Sequence, residues 1–175
     1  RWHGAEDGRI SFAFCPRFVL CNSEEVLRSV ADLARQQHVT IHTHASENRT
    51  ETKVVRDRTG KSNVEYLHHL KMTGENLVIA HAVWLEEHEV RAMAETGTRV
   101  AHCPSSNMKL ASGICDTVRL RKAGVTVGIG ADGAACNNSL DGFQEMRLAA
   151  LLPRLAHGPR AMPAIKALEM ATIEG

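Results

Sequence analysis

Four apolar runs in this chain each end in a residue of catalytic type, and that repetition limits the folds open to it. Residues 39–47 read Val39-Thr40-Ile41-His42-Thr43-His44-Ala45-Ser46-Glu47. Leu77-Val78-Ile79-Ala80-His81 and Thr98-Arg99-Val100-Ala101-His102 end in histidine, and residues 125–130 run into Ala131-Asp132-Gly133. Short β-branched runs bounded by turn signals are buried strands. The intervals between them carry apolar residues at helical spacing. Alternation of this kind implies a parallel sheet with right-handed crossovers. Either an open doubly wound sheet or part of a (β/α)8 barrel satisfies it. A complete barrel takes about 200 residues or more, so a chain of 175 residues can form only part of one.

Taken in order, residues 10–14 alternate and predict a short strand, and Cys15-Pro16-Arg17-Phe18 a loop, since Pro16 cannot continue a central ladder. Ser23 is a good N-cap for a helix over 23–37, with Glu24 and Glu25 in its first turn. Residues 48–61 are polar and predict a loop or a short exposed helix. Helices are expected from Val64 towards Gly74, over 86–95 before Gly97, and over 114–122 before Gly124. Two more are expected over 140–152 and 164–173. Cys103-Pro104 is expected to break the third histidine strand. The chain starts at Arg1 and stops at Glu174-Gly175 inside a helical pattern, which suggests an internal piece of a longer protein.

Composition removes several classes of function. Lys+Arg is 21 against Asp+Glu 20, a net charge of +1, which makes no electrostatic case for nucleic acid or an anionic membrane. No apolar run approaches the roughly 18 residues of a spanning helix. The five cysteines are odd in number and lack a CxxC pair. They point to a reducing compartment, hence the cytoplasm, and not to a disulfide framework.

His44, His81, His102 and Asp132 sit at strand ends, with Glu47 three positions past His44. In a barrel such ends converge on one mouth. His and Asp together suit zinc or iron at an open site, where the metal brings the pKa of a water towards ~7 and Glu47 can shuttle protons. A single strand-end histidine is more often structural, and Asp132-Gly133 alone could be a turn; the repetition favours the site. His42 is expected beside it and not as a ligand. His68, His69, His88 and His157 are expected on the surface, and Met108, Leu110 and Met146 in the core. Cys103 and Cys136 could line the pocket but lack an activating partner. Trp84 could flank a planar ligand or simply pack.

Four motifs carry a resemblance: His44-Ala45-Ser46-Glu47, Ala80-His81, residues 101–110 (Ala-His-Cys-Pro-Ser-Ser-Asn-Met-Lys-Leu) and residues 130–138 (Gly-Ala-Asp-Gly-Ala-Ala-Cys-Asn-Asn). With Phe143-Gln144-Glu145-Met146-Arg147, they resemble the amidohydrolase superfamily, in its branch of purine and nucleoside deaminases and triazine hydrolases. The resemblance implies a (β/α)8 barrel, of which this chain supplies about the C-terminal half, strands 4 to 8. It implies one divalent metal, zinc before iron. By motif, His44 is the strand 5 ligand and Asp132 the strand 8 ligand, Asp132 also taking a proton from the attacking water. Glu47 handles protons between water and a ring nitrogen, and His81 orients the water. Arg17 resembles the guanine deaminase arginine that bonds a ring carbonyl, with Trp84 and Asn107 also at the substrate. The later motifs look more like deaminases of S-adenosylhomocysteine, methylthioadenosine or 5'-deoxyadenosine. The family's His-x-His of strand 1 does not precede the strand 4 region. That pair, strands 1 to 3 and the family's small β domain are therefore expected outside residues 1–175. The implied reaction is hydrolytic deamination of a small heterocycle, a purine or adenosine-type nucleoside, by a protein that can form a homo-oligomer. Triazine chloro- or aminohydrolysis is the rival reaction, and a truncated, non-catalytic fragment the rival of another class.

Overall fold

The computed structural model describes residues 2–175; Arg1, on which the reading of the chain's start rests, lies outside them. Five strands form one sheet: β1 (Ala13–Phe14), β2 (Thr40–Ala45), β3 (Leu77–His81), β4 (Arg99–His102) and β5 (Val127–Ile129). Every pairing is parallel and the order is β1-β2-β3-β4-β5. A doubly wound sheet reverses its strand order at a switch point. This one never does: each strand lies beside the next in sequence, as in the wall of a (β/α)8 barrel. The two architectures left open by the alternation are thereby separated.

Side-chain parity sets the two faces of the wall. Along β2, Ile41, Thr43 and Ala45 are buried while His42 and His44 are only partly so. Ile41 joins Ile79, Val100 and Val127 in the core, together with Leu27, Val55, Met93, Leu120 and Met170 from the helices. Each such aliphatic side chain contributes about 1.5–3 kcal/mol by leaving water. The outer face of the sheet is thus committed to the helices, and the two histidines of β2 are left on the inner one.

The helices follow their caps. α1 (Glu24–Gln37) starts where Ser23 Oγ accepts the Val26 N–H, and ends at His38 in the left-handed region. α2 (Arg49–Thr59) is a full helix of 11 residues, capped by Asn48, where a loop or short exposed helix was expected. Its buried side is built on Glu51 and Val55, too little apolar periodicity to register in sequence. α3 (Asn63–His69) and α4 (Glu87–Thr96) both open with capping boxes, and Gly97 at φ 75° closes α4.

Pro104 does end β4, but it also starts α5 (Pro104–Lys109); proline suits the first helical turn because the missing N–H has no partner there. α6 (Thr117–Lys122) and α7 (Ala134–Asn137) follow, then α8 (Gly142–Leu151), α9 (Pro153–His157) and α10 (Ala164–Ala171). The expected strand over 10–14 shrinks to two residues, with Ile10 and Phe12 exposed. Met108 and Leu110, expected in the core, are 41% and 49% exposed. The buried part of α5 is its first turn, Pro104 to Asn107, and these two lie past it. No helix among the described residues is long and apolar enough to cross a membrane.

Candidate active site

Three of the four polar strand ends meet. His44, His81 and Asp132 each place one ligand atom such that all three lie within 4.8 Å of one another. Each arrives differently. His44 comes from the inner face of β2, and its backbone N–H and Nδ1 both donate to the Arg17 carbonyl, at 2.9 and 2.8 Å. That bond puts the proton on Nδ1 and leaves Nε2 as the free lone pair.

His81 reaches the site by breaking strand alternation. Its register partner is Ala45, whereas His44 pairs with Ala80, so a regular strand would turn His81 to the opposite face. The backbone at His81 is left-handed, φ 74°, and the His44 and His81 rings lie 5.2 Å apart. Asp132 is also left-handed, φ 60°. Non-glycine residues in this region store strain that persists only where surrounding contacts hold it, as at functional sites.

Burial by itself would raise the Asp132 carboxyl. Hydrogen bonds from Ser106 Oγ and the Gly133 N–H, with the nearby His81 and His44, outweigh it and hold the carboxyl below its ordinary value. A depressed carboxylate beside imidazole lone pairs is a donor set suited to zinc or iron.

Glu47 stands at the rim, with Oε2 3.9 Å from His81 Nε2 and Oε1 accepting from Ser112 Oγ at 3.2 Å. Its backbone N–H donates to Glu51 Oε2 at 2.7 Å, and the Ser46 N–H to Glu51 Oε1 at 3.2 Å. Glu51 therefore holds the turn that aims Glu47. Burial raises the Glu51 carboxyl despite these bonds.

The first turn of α5 braces the site with three consecutive side chains. Ser105 donates through N–H and Oγ to the buried Glu145, Ser106 Oγ donates to Asp132, and Asn107 Oδ1 meets His81 Nδ1 at 2.8 Å. Asn107 was expected at the substrate. It is 1% exposed and stands behind His81, on the Nδ1 side of the ring. Sequence reasoning gave no role to Ser105, Ser106 or Glu51. The available signal was Pro104 followed by two serines, a helix start with hydroxyls in its first turn.

Three other expectations change. His102 does not join the cluster: its register partners set it on the face of Val100, and it is 1% exposed with neither ring nitrogen hydrogen-bonded. Burial, then the nearby His81, pushes its pKa down to about 4. Trp84 donates from Nε1 to the Ser112 carbonyl and carries Arg49 4.1 Å above its ring. It lines a cavity with Ser46 and Asn63, and the same Ser112 donates through its hydroxyl to Glu47. The Arg17 side chain is exposed, and its backbone carbonyl accepts from His44. His42 lies beside His44, ring centroids 6.0 Å apart, outside the three-residue group, and burial followed by His44 lowers its pKa. Burial pushes the Cys103 thiol up to about 12, which leaves it protonated and a poor nucleophile.

The model of the amidohydrolase family matches residues 1–175, the whole chain. The chain belongs to the amidohydrolase family. Among similar members, a 5'-deoxyadenosine deaminase of Methanothermobacter thermautotrophicus is 44% identical over 174 residues, covering 99% of this chain and 41% of that protein. A 5-methylthioadenosine/S-adenosylhomocysteine deaminase of Haloquadratum walsbyi is 44% identical over 175 residues, covering 99% and 40%. The crystal structure of an adenosine deaminase from Xanthomonas campestris with bound zinc superposes with a TM-score of 0.94 at 35% identity, covering 98% of this chain and 39% of that one. Atrazine chlorohydrolase from Arthrobacter aurescens, complexed with zinc, gives 0.93 at 27% identity, covering 99% and 39%. This amidohydrolase chain thus spans about two-fifths of the length of the relatives it matches. Its five strands are those of the C-terminal half of the family's barrel.

Proposed function

We propose that the full-length protein containing this chain is a metal-dependent aminohydrolase that deaminates an adenosine-type nucleoside. The observation that carries the reading is the meeting of His44, His81 and Asp132 within 4.8 Å, with Glu47 3.9 Å from His81. In this reading His44 and Asp132 hold one divalent ion, zinc in the first instance. When bound, that ion supplies Lewis-acid activation of water at neutral pH.

The chain's own residues then divide the proton work. Asp132 takes a proton from the attacking water. Glu47 carries the water's other proton to the ring nitrogen next to the carbon that bears the amine, and the proton held by Asp132 goes to the departing nitrogen. Water adds at that carbon, the carbon–nitrogen bond breaks, and ammonia leaves with the ring oxidation state unchanged. His81 orients the water through Nε2, its tautomer fixed by Asn107 on Nδ1. In this reading Arg17 and Trp84 contact the substrate away from the reacting atoms; the exposed Arg17 side chain and the Trp84–Ser112–Glu47 hydrogen bonds support it. The remaining ligands, the strand 1 pair and the small β domain belong in this reading to the part of the protein outside residues 1–175.

The deaminase relatives at 44% identity support the nucleoside over a triazine, while the fold alone is equally close to atrazine chlorohydrolase. The test is product release by the zinc-loaded full-length protein. The panel is adenosine, 5'-deoxyadenosine, methylthioadenosine, S-adenosylhomocysteine, guanine and atrazine. Ammonia from an adenosine-type substrate is the expected result. Chloride from atrazine with no ammonia from any nucleoside refutes the assignment. Glu47→Gln is expected to lower deamination by about 10²–10⁴-fold with metal content unchanged.

A further inference from the structure

The end of α5 ties the two proton-handling side chains to one stretch of chain. Ala111 sits in the left-handed region, φ 53°. Its N–H donates to the Met108 carbonyl at 3.1 Å, and the Ser112 N–H donates to the Asn107 carbonyl at 2.8 Å. That pair of bonds is a Schellman closure, in which the chain folds back over the last turn of the helix. The backbone of Ser112 is thereby joined to that of Asn107, the residue whose Oδ1 meets His81 Nδ1.

Ser112 is fixed from its other side as well. Its carbonyl accepts Trp84 Nε1 at 2.7 Å. The backbone N–H of Trp84 in turn donates to the Ser46 carbonyl at 2.9 Å, one residue before Glu47. Gly113 lets the two segments come this close. Its φ is 126°, and a Cβ there would meet Val83 Cγ1 at 2.9 Å and Trp84 Cζ2 at 3.1 Å, so a side chain would push the turn away. Ser112 is 4% exposed with both backbone groups bonded, which gives its hydroxyl a set position. That hydroxyl donates to Glu47 Oε1 at 3.2 Å.

The Glu47 carboxylate is thus held at one oxygen and open at the other. Glu51 pins its backbone N–H, Ser112 takes Oε1, and Oε2 faces His81 Nε2 at 3.9 Å. A half-buried glutamate with several rotatable bonds would otherwise sample many rotamers.

We propose that Ser112 is a positioning residue for the proton carrier, and that residues 107–112 set Glu47 and His81 against each other as one unit. The proposal rests on the aminohydrolase reading above. There Glu47 collects a proton from water and passes it to a ring nitrogen, so its carboxylate must keep one place while the proton travels. A hydrogen bond on Oε1 fixes the plane of the carboxylate and leaves Oε2 to carry the proton. Asn107 fixes the His81 ring from the other end of the same closure.

The test is steady-state deamination by the zinc-loaded full-length protein carrying Ser112→Ala or Ser112→Thr, alone and with Glu47→Gln. Ser112→Ala should lower kcat by about 10–100-fold with KM changed by less than about threefold. Ser112→Thr keeps the hydroxyl and should recover most of the rate. On top of Glu47→Gln the alanine change should cost less than about twofold, because its effect passes through the carboxylate already removed. Equal losses in the alanine and threonine variants overturn the proposal, as does a loss confined to KM or a full alanine cost in the Glu47→Gln protein. Crystal structures of the wild type and both variants judge the positioning without activity. The Glu47 carboxylate should leave its place near His81 in Ser112→Ala and keep it in Ser112→Thr; an unmoved carboxylate in Ser112→Ala overturns the proposal. Should the wild type release ammonia from no nucleoside, the aminohydrolase reading falls, and these structures still decide the role of Ser112. If Ser112→Ala fails to fold, Ser112→Cys, which offers only a weak donor, replaces it in both measurements.

Discussion

Removing the Glu145 carboxylate tests how the site is held. Glu145 is fully buried on α8 and accepts three hydrogen bonds: Ser105 N–H at 3.1 Å, Ser105 Oγ, and Asn137 Nδ2 at 2.9 Å. Asn137 also donates to the Ala131 carbonyl, one residue before Asp132. One carboxylate thus ties α5, α7, α8 and the Asp132 turn together. In Glu145→Ala the Ser105 hydroxyl can rotate to a new partner, but the Ser105 N–H and the Asn137 amide cannot. Two stranded donors cost ~1–3 kcal/mol each, so about 2–6 kcal/mol in all. Relief of the desolvated carboxylate offsets part of that, and the cavity left by the side chain adds to it. The partners left behind are neutral, so the expected net loss stays within that range, about 2–6 kcal/mol. Glu145→Gln keeps the volume and one acceptor but sets an NH₂ against a donor, for about 1–2 kcal/mol. Urea denaturation of the full-length, zinc-loaded protein measures both, and amide exchange over α5 should speed up in the alanine variant. An alanine cost below about 1 kcal/mol, or equal costs for the two variants, refutes the bracing role.

Asn107→Ala frees His81 Nδ1 without touching a proposed metal ligand; a fall in kcat of about 10–100-fold at unchanged zinc content is expected, and an unchanged kcat refutes the positioning role. The buried His102 gives an acid limb to stability. Its folded pKa is about 4 against an ordinary 6.5, so below pH 6.5 the unfolded chain binds a proton that the folded chain does not. Stability therefore falls as pH drops from 6.5 towards about 4 and then levels off, by about 3 kcal/mol for this group; His102→Leu should remove that slope in urea titrations at several pH values. Alkylation with iodoacetamide at about pH 8 should mark the exposed Cys15 and Cys21 and spare Cys103 and Cys115, whose thiols burial pushes up to about 12; early labelling of Cys103, read by peptide mass, contradicts its burial.

The strand–helix alternation was legible because each strand is apolar, short and bounded by turn residues. β3 lies over the predicted residues, and α1 begins after the predicted cap. α2 was legible only as one of two alternatives, a loop or a short exposed helix, because its buried face rests on Glu51, a carboxylate whose use is a pair of backbone N–H groups and not an apolar pattern. The site was half legible. His44, Asp132 and Glu47 announce themselves as polar endings of apolar runs, and their motifs carry the family. His102 has the same spelling and does not take part, since β4 ends regularly and parity sends its last side chain into the core.

What the order of residues determined by itself was local: where the chain extends, where it coils, and which strand ends bear groups that bind metals or carry protons. Those follow from periodicity and from the chemistry of single side chains. Which of those groups converge was decided only in three dimensions. His81 reaches His44 because its backbone turns left-handed against the strand's alternation, and Asn107 meets it because α5, packed against α7 and α8, brings its first turn to the His81 ring. Both depend on contacts between segments tens of residues apart, and side-chain direction at a strand end is a property of those contacts, not of the letters that spell the strand.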